Sequence, residues 1–127
     1  MTSHYVCCVV KERFERVFES LSGVFGNIYS RRMRKSDGFL FGVILGEKYF
    51  LRVRSDVAIS IIVEGYATDE TRVEVVSCAG GTGLLGISYG AHSAYVHDVI
   101  NYLKDSGLEV TVEREIPYFS EESTETT

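Results

Sequence analysis

The stretch Gly80-Gly81-Thr82-Gly83-Leu84-Leu85-Gly86 decides between two folds. From Gly81 it spells G-x-G-x-x-G, the letters of a dinucleotide-binding turn, just after the apolar run Val73-Glu74-Val75-Val76-Ser77-Cys78-Ala79. That motif works when a strand enters it and a helix opens within it, so that backbone amides at the helix start face a pyrophosphate. The entering strand is present in the pattern. The helix comes late, because Gly86-Ile87-Ser88-Tyr89-Gly90 opens a helix poorly and a periodic apolar face begins only near Val96. A dinucleotide domain also needs parallel strands joined by long crossovers, and too little chain follows Gly90 to build them. Gly-Lys-[Ser/Thr] occurs nowhere, which removes the P-loop as well.

Upstream of the glycines the period is that of strands. Lys35-Ser36-Asp37-Gly38, Gly46-Glu47-Lys48, Ser55-Asp56 and Thr68-Asp69-Glu70 separate runs rich in Val, Ile, Phe and Tyr at 25–34, 39–45, 49–54, 57–65 and 72–78. Breaks this short join antiparallel neighbours, so the runs read as a meander. Residues 49–65 read either as two strands parted at Ser55-Asp56 or as one bent strand. At the amino end, residues 5–10 read as a strand. Phe14, Val17, Phe18 and Leu21 then follow helical spacing up to a stop at Gly23. Val96, Val99, Ile100 and Leu103 repeat that spacing in a second helix over 93–104, stopped by Ser106-Gly107. Residues 108–114 alternate as a half-buried strand that Pro117 closes. The expected fold class is α+β: an antiparallel meander sheet of six to seven strands with two amphipathic helices on one face. Residues 1–119 form one domain, and 120–127 form an acidic, disordered tail.

In such a fold the glycines have two uses. Residues 84–89 can return along 72–78 as a hairpin with 79–83 as its loop. Alternatively, the loop stays open beside the start of the second helix, and Gly80, Gly81, Thr82, Gly83, Ser88, His92 and Ser93 line a small anion or ligand pocket. The segment Ser77-Cys78-Ala79-Gly80-Gly81-Thr82-Gly83-Leu84, followed by Ile87-Ser88-Tyr89-Gly90-Ala91 and a helix, resembles a family of small prokaryotic α+β proteins of no established activity. In that family a glycine cluster precedes Ser-aromatic-Gly-Ala. The resemblance implies no residue roles, and this chain has Tyr89 where a tryptophan is frequent and Cys78-Ala79 where further small residues are common.

At 127 residues, 45% hydrophobic and 24% charged, the chain suits a single buried core. Its apolar runs fall short of the roughly 20 residues a membrane helix needs. The first residues lack the basic and apolar regions of a signal peptide, which points to the cytoplasm. Cys7 and Cys8 would point to opposite faces of a strand, so reduced thiols are expected rather than a disulfide framework.

The net charge of −5 is unevenly spread: Arg31, Arg32, Arg34, Lys35, Lys48, Arg52 and Arg54 cluster against only Asp37 and Glu47. Alternation puts Arg32 with Arg34, and Arg52 with Arg54, on shared strand faces, a basic patch suited to phosphate or single-stranded nucleic acid. The simpler reading is a solvated face paired with neighbouring acids. The acidic balance weighs against a dedicated nucleic-acid binder.

His92 and His97 are five residues apart, whereas helical metal ligands favour i, i+4, and His97 is expected on the wet side of its helix. Cys78 or Ser88 with His92 and Asp98 can be drawn as a nucleophile set, but nothing in the spacing demands it. No catalytic residue, metal or cofactor is assigned. The leading expectation is an interaction or ligand-binding module, with a second copy through a sheet edge or a small anion as partner. Anion or nucleic-acid binding through the basic patch comes second, and a small enzyme at the glycine loop third.

Overall fold

The computed structural model describes residues 3–50, 55–78 and 89–119. In chain order the elements are β1 (Ser3–Val10), α1 (Phe14–Phe25), β2 (Tyr29–Arg34), β3 (Leu40–Phe50), β4 (Ser55–Gly65), β5 (Thr71–Cys78), α2 (Tyr89–Asp105) and β6 (Val110–Phe119). The six strands form one open sheet in the order β2-β3-β4-β5-β1-β6, antiparallel at every step. Strands β2 to β5 are the expected meander. The amino-terminal strand then slots between β5 and β6, so the first and last parts of the chain close the sheet.

Both helices lie on the same face, α1 against β3 and β4, α2 mainly against β1 and β5. Phe14, Val17, Phe18 and Leu21 form the buried stripe of α1, and Tyr95, Val96, Val99, Ile100 and Leu103 that of α2. Beneath them lie alternate strand residues, among them Val6, Cys8 and Val10, Val57, Ile59, Ile61 and Val63, and Val73 and Val75. The β2–β3 turn is built as its Asp-Gly pair suggests: Gly38 takes φ +90 and its N–H donates to the Lys35 carbonyl. Gly107, at φ +86, ends α2 in the same left-handed region.

Several boundaries differ from the sequence reading. Helix α1 runs through Gly23 to Phe25, because Gly23 sits on its solvent side where one missing side chain costs little. Strand β3 runs through Gly46-Glu47-Lys48 without a break. Phe50 pairs with Ser55, which makes β3 and β4 the two strands of a hairpin, and the expected strand positions of Arg52 and Arg54 lie outside the described residues. Helix α2 starts at Tyr89, four residues before the expected Ser93, since its first turn lacks the apolar spacing that marks the rest. Strand β6 continues through Pro117 to Phe119, which an edge strand tolerates because one of its sides needs no N–H donor.

Candidate functional site

The pairing registers define rows that cross the helix-free face of the sheet. One runs Arg31, Val43, Ile62, Glu74, Cys7, Arg114, and the next Tyr29, Leu45, Ser60, Val76, Tyr5, Ile116. The β2–β4 half is mostly apolar and includes Met33 and Tyr29, both more than two-fifths exposed. It holds a hollow of about 290 Å³ bordered by Ile28, Leu45, Ala58 and Val76. Among the described residues no helix covers this face.

The β5–β1–β6 half is polar. Tyr5 Oη donates to Glu74 Oε2 at 2.6 Å, and Arg72 lies 3.5 Å from Glu64 and 3.3 Å from Glu113. Burial, then the Glu74 carboxylate, push the Tyr5 phenol well above its usual range. Burial also raises Glu64, helped by the neighbouring charge of Glu74 and against the pull of Arg72. Next to this cluster is an open cleft of about 700 Å³, with Lys11 paired to Glu70 on one lip and Arg72 on the other. Its cations already have carboxylate partners, so the cleft offers an anion little net attraction.

On the helix face, at the amino end of β1, three side chains from three elements meet. His4 Nε2 stands 2.6 Å from Glu115 Oε2, and His97 Nε2 stands 2.9 Å from the same oxygen. The two rings pack edge to face with centroids 5.4 Å apart. His4 is buried, while His97 and Glu115 are partly open to solvent. Burial of Glu115 is outweighed by these two histidine hydrogen bonds, which hold its carboxyl below the usual range. Ser93 Oγ lies 3.4 Å from His97 Nδ1, one helical turn earlier. A bulge in β6 makes this meeting possible: Cys8 pairs with Val112 but Cys7 with Arg114, so Glu113 is the extra residue. The shift reverses the alternation and turns Glu115, opposite Val6, toward the helices.

Of the residues singled out in the sequence, Gly80, Gly81, Thr82, Gly83, Ser88, Arg52 and Arg54 lie outside the described residues, as does the side chain of His92. Both hydrogen-bonding edges of β5 are occupied, by β4 and β1, and Tyr89 begins α2, while the rest of the expected 84–89 hairpin lies outside the described residues. Arg32 and Arg34 do share a face. Arg32 is held by Glu15 at 2.8 Å and Glu19 at 3.1 Å and lies over the Phe18 ring. Asp98 pairs with Lys48 at 3.4 Å. His97, expected on the wet side, keeps a side chain 45% exposed and also reaches His4 and Glu115. Strands β1 and β5 are neighbours, but Cys7 pairs with Glu74 and Ser3 with Cys78, so the thiol-bearing positions do not converge. No helix among the described residues is long and apolar enough to cross a membrane. No known protein-family model matches the chain, and no curated protein matches it in sequence.

Proposed function

We propose that this protein is an interaction module that works as a homodimer, two copies stacking their helix-free sheet faces. The reading rests on one observation: the row Arg31, Val43, Ile62, Glu74 is apolar in its middle and oppositely charged at its two ends. A two-fold axis parallel to the strands, passing between β3 and β4, lays Val43 of one copy on Ile62 of the other and Arg31 over Glu74. Such an isologous patch is self-complementary, and aligned sheets stack in this way at about 10 Å. Strands about 4.8 Å apart, with rises of about 3.4 Å per residue over the six, eleven, eleven and eight residues of β2, β3, β4 and β5, cover roughly 600 Å² per copy. Two copies then bury roughly 1,200 Å², at the lower end of the range of stable dimers.

Pairing through a sheet edge fits less well. Strand β2 presents Arg31, Arg32 and Arg34, and a self-paired edge would set these cations against one another. The other edge, β6, carries Pro117. Cys7 and Cys8, unbridged and buried on opposite faces, support a reducing, cytoplasmic setting.

Sedimentation across a concentration range tests the reading. The wild type associates to a dimer, and Val43→Glu yields a monomer with unchanged circular dichroism. Arg31→Glu weakens association, and adding Glu74→Arg restores part of it. A wild type that stays monomeric at every concentration, or a Val43→Glu variant that still dimerises, overturns the proposal.

A further inference from the structure

The inward row of β1 reads His4, Val6, Cys8, Val10, and only its first member is polar. Burying an imidazole in an apolar layer is costly unless its nitrogens are engaged. His4, its side chain only 2% exposed, spends Nε2 on Glu115, and His97 spends its own Nε2 on the same oxygen. Two histidines from different elements thus aim the same ring nitrogen at one point, and the ligand atoms of all three residues lie within 4.8 Å of one another.

Two imidazoles and one carboxylate are a donor set for a divalent first-row transition ion. Around a tetrahedral zinc with bonds of about 2.1 Å, ligand atoms stand roughly 3.4 Å apart. Reaching that spacing asks Glu115 to retreat from each ring by less than about 1 Å and the two ring nitrogens, within 4.8 Å of each other, to close by at most about 1.4 Å, small motions for Glu115 and His97 side chains 36% and 45% exposed. The ion would then sit among the three groups, each imidazole offering the lone pair of its Nε2 and Glu115 a carboxylate oxygen. Other features fit the same occupant. The site has a dry floor at His4 and a wet mouth at His97 and Glu115, which gives an entry path and an open fourth position. The Ser93 hydroxyl engages the far nitrogen of His97 and so turns Nε2 inward, the outer-shell arrangement that metal-bound histidines favour.

We infer that His4, His97 and Glu115 form a binding site for a zinc-like divalent transition ion, with three protein ligands and a fourth position open to water or a small ligand. The site lies on the opposite face of the sheet from the proposed dimer contact and stands independently of it.

The test uses the full chain, stripped by a chelator, kept reduced and titrated with Zn²⁺ and then Co²⁺. One equivalent of Zn²⁺ binds by calorimetry and raises the unfolding midpoint, and Co²⁺ gives the strong visible bands of a four-coordinate ion without a thiolate charge-transfer band. His97→Ala, a change at a partly exposed position that leaves the fold intact, weakens Zn²⁺ binding about 100-fold or more. Glu115→Gln, which retains an acceptor oxygen for both histidines, weakens it comparably, and Ser93→Ala about tenfold. Absence of saturable binding overturns the inference. So does affinity that survives in both His97→Ala and Glu115→Gln, or a cobalt spectrum dominated by thiolate.

Discussion

The carbonyl of Phe25, the last residue of α1, rests on the Cα of Gly46 in β3, where a side-chain carbon would run straight into it. Next to this contact Asn27 clamps the strand in both directions, donating to the Glu47 carbonyl and accepting from the Glu47 N–H, each at 2.9 Å. Gly46 is therefore a point of close approach between helix end and strand. Gly46→Ala forces the end of α1 off the sheet and costs about 1–3 kcal/mol. Gly23, in the same helix but with nothing within 4 Å of the missing Cβ, predicts the opposite sign: Gly23→Ala adds about 0.5–1 kcal/mol by reducing the freedom of the unfolded chain. Denaturant unfolding of the two variants checks this, and shifts of the same sign would contradict it.

Gly46 also marks the limit of what sequence patterning conveys. Local period is visible: the stripe from Phe14 to Leu21, the alternation of Val57, Ile59, Ile61 and Val63, and the Asp37-Gly38 turn all follow from spacing, and with them the antiparallel α+β fold. A glycine followed by two charged residues reads as a turn, however, unless the helix end that packs on it is known. The place of β1 between β5 and β6 is a long-range pairing with no local signal. The His4, His97 and Glu115 cluster is hidden twice over. Its members are scattered along the chain, and simple alternation groups Arg114, not Glu115, with Val110 and Val112. Only the bulge at Glu113 reverses that parity.

Cys7 and Cys8 predict a pair of inert thiols. Burial pushes Cys8 up to about 12, and raises Cys7 despite the guanidinium of Arg72. Both therefore stay protonated near neutral pH, and both are almost wholly shielded from solvent. Brief iodoacetamide treatment of the native protein at neutral pH leaves both unlabelled by mass spectrometry, and denaturant exposes them together. Native labelling of Cys7 at the rate of a free thiol would show that the polar layer above it is open.

The Tyr5 hydroxyl and Glu74 form a short, charge-assisted hydrogen bond on a half-buried sheet face. Tyr5→Phe leaves that carboxylate without this donor and costs about 1–3 kcal/mol. In a Glu74→Gln background the same change costs less, because the acceptor is no longer charged. A double-mutant cycle by urea unfolding measures the difference, and additive costs would mean the bond contributes nothing to stability.

Glu64 predicts a pH dependence of unusual sign for a carboxylate facing an arginine. Its folded pKa is raised, by burial first and then by the Glu74 charge, while Arg72 at 3.5 Å pulls the other way without prevailing. A raised carboxyl is more easily charged in the unfolded chain than in the folded one. The folded state therefore loses stability as pH climbs above the unfolded value of about 4.3, and the full penalty is present once pH exceeds the folded value. Glu64→Gln removes this penalty. The variant is more stable than the wild type at pH 7 by roughly 0.5–1 kcal/mol, the scale of a partly screened surface interaction. The gap closes toward about pH 3, where the wild-type group is protonated in both states. Urea unfolding of both proteins at the two pH values decides the matter. A Glu64→Gln variant less stable than wild type at pH 7 would mean that the pairing with Arg72 outweighs burial and the repulsion from Glu74.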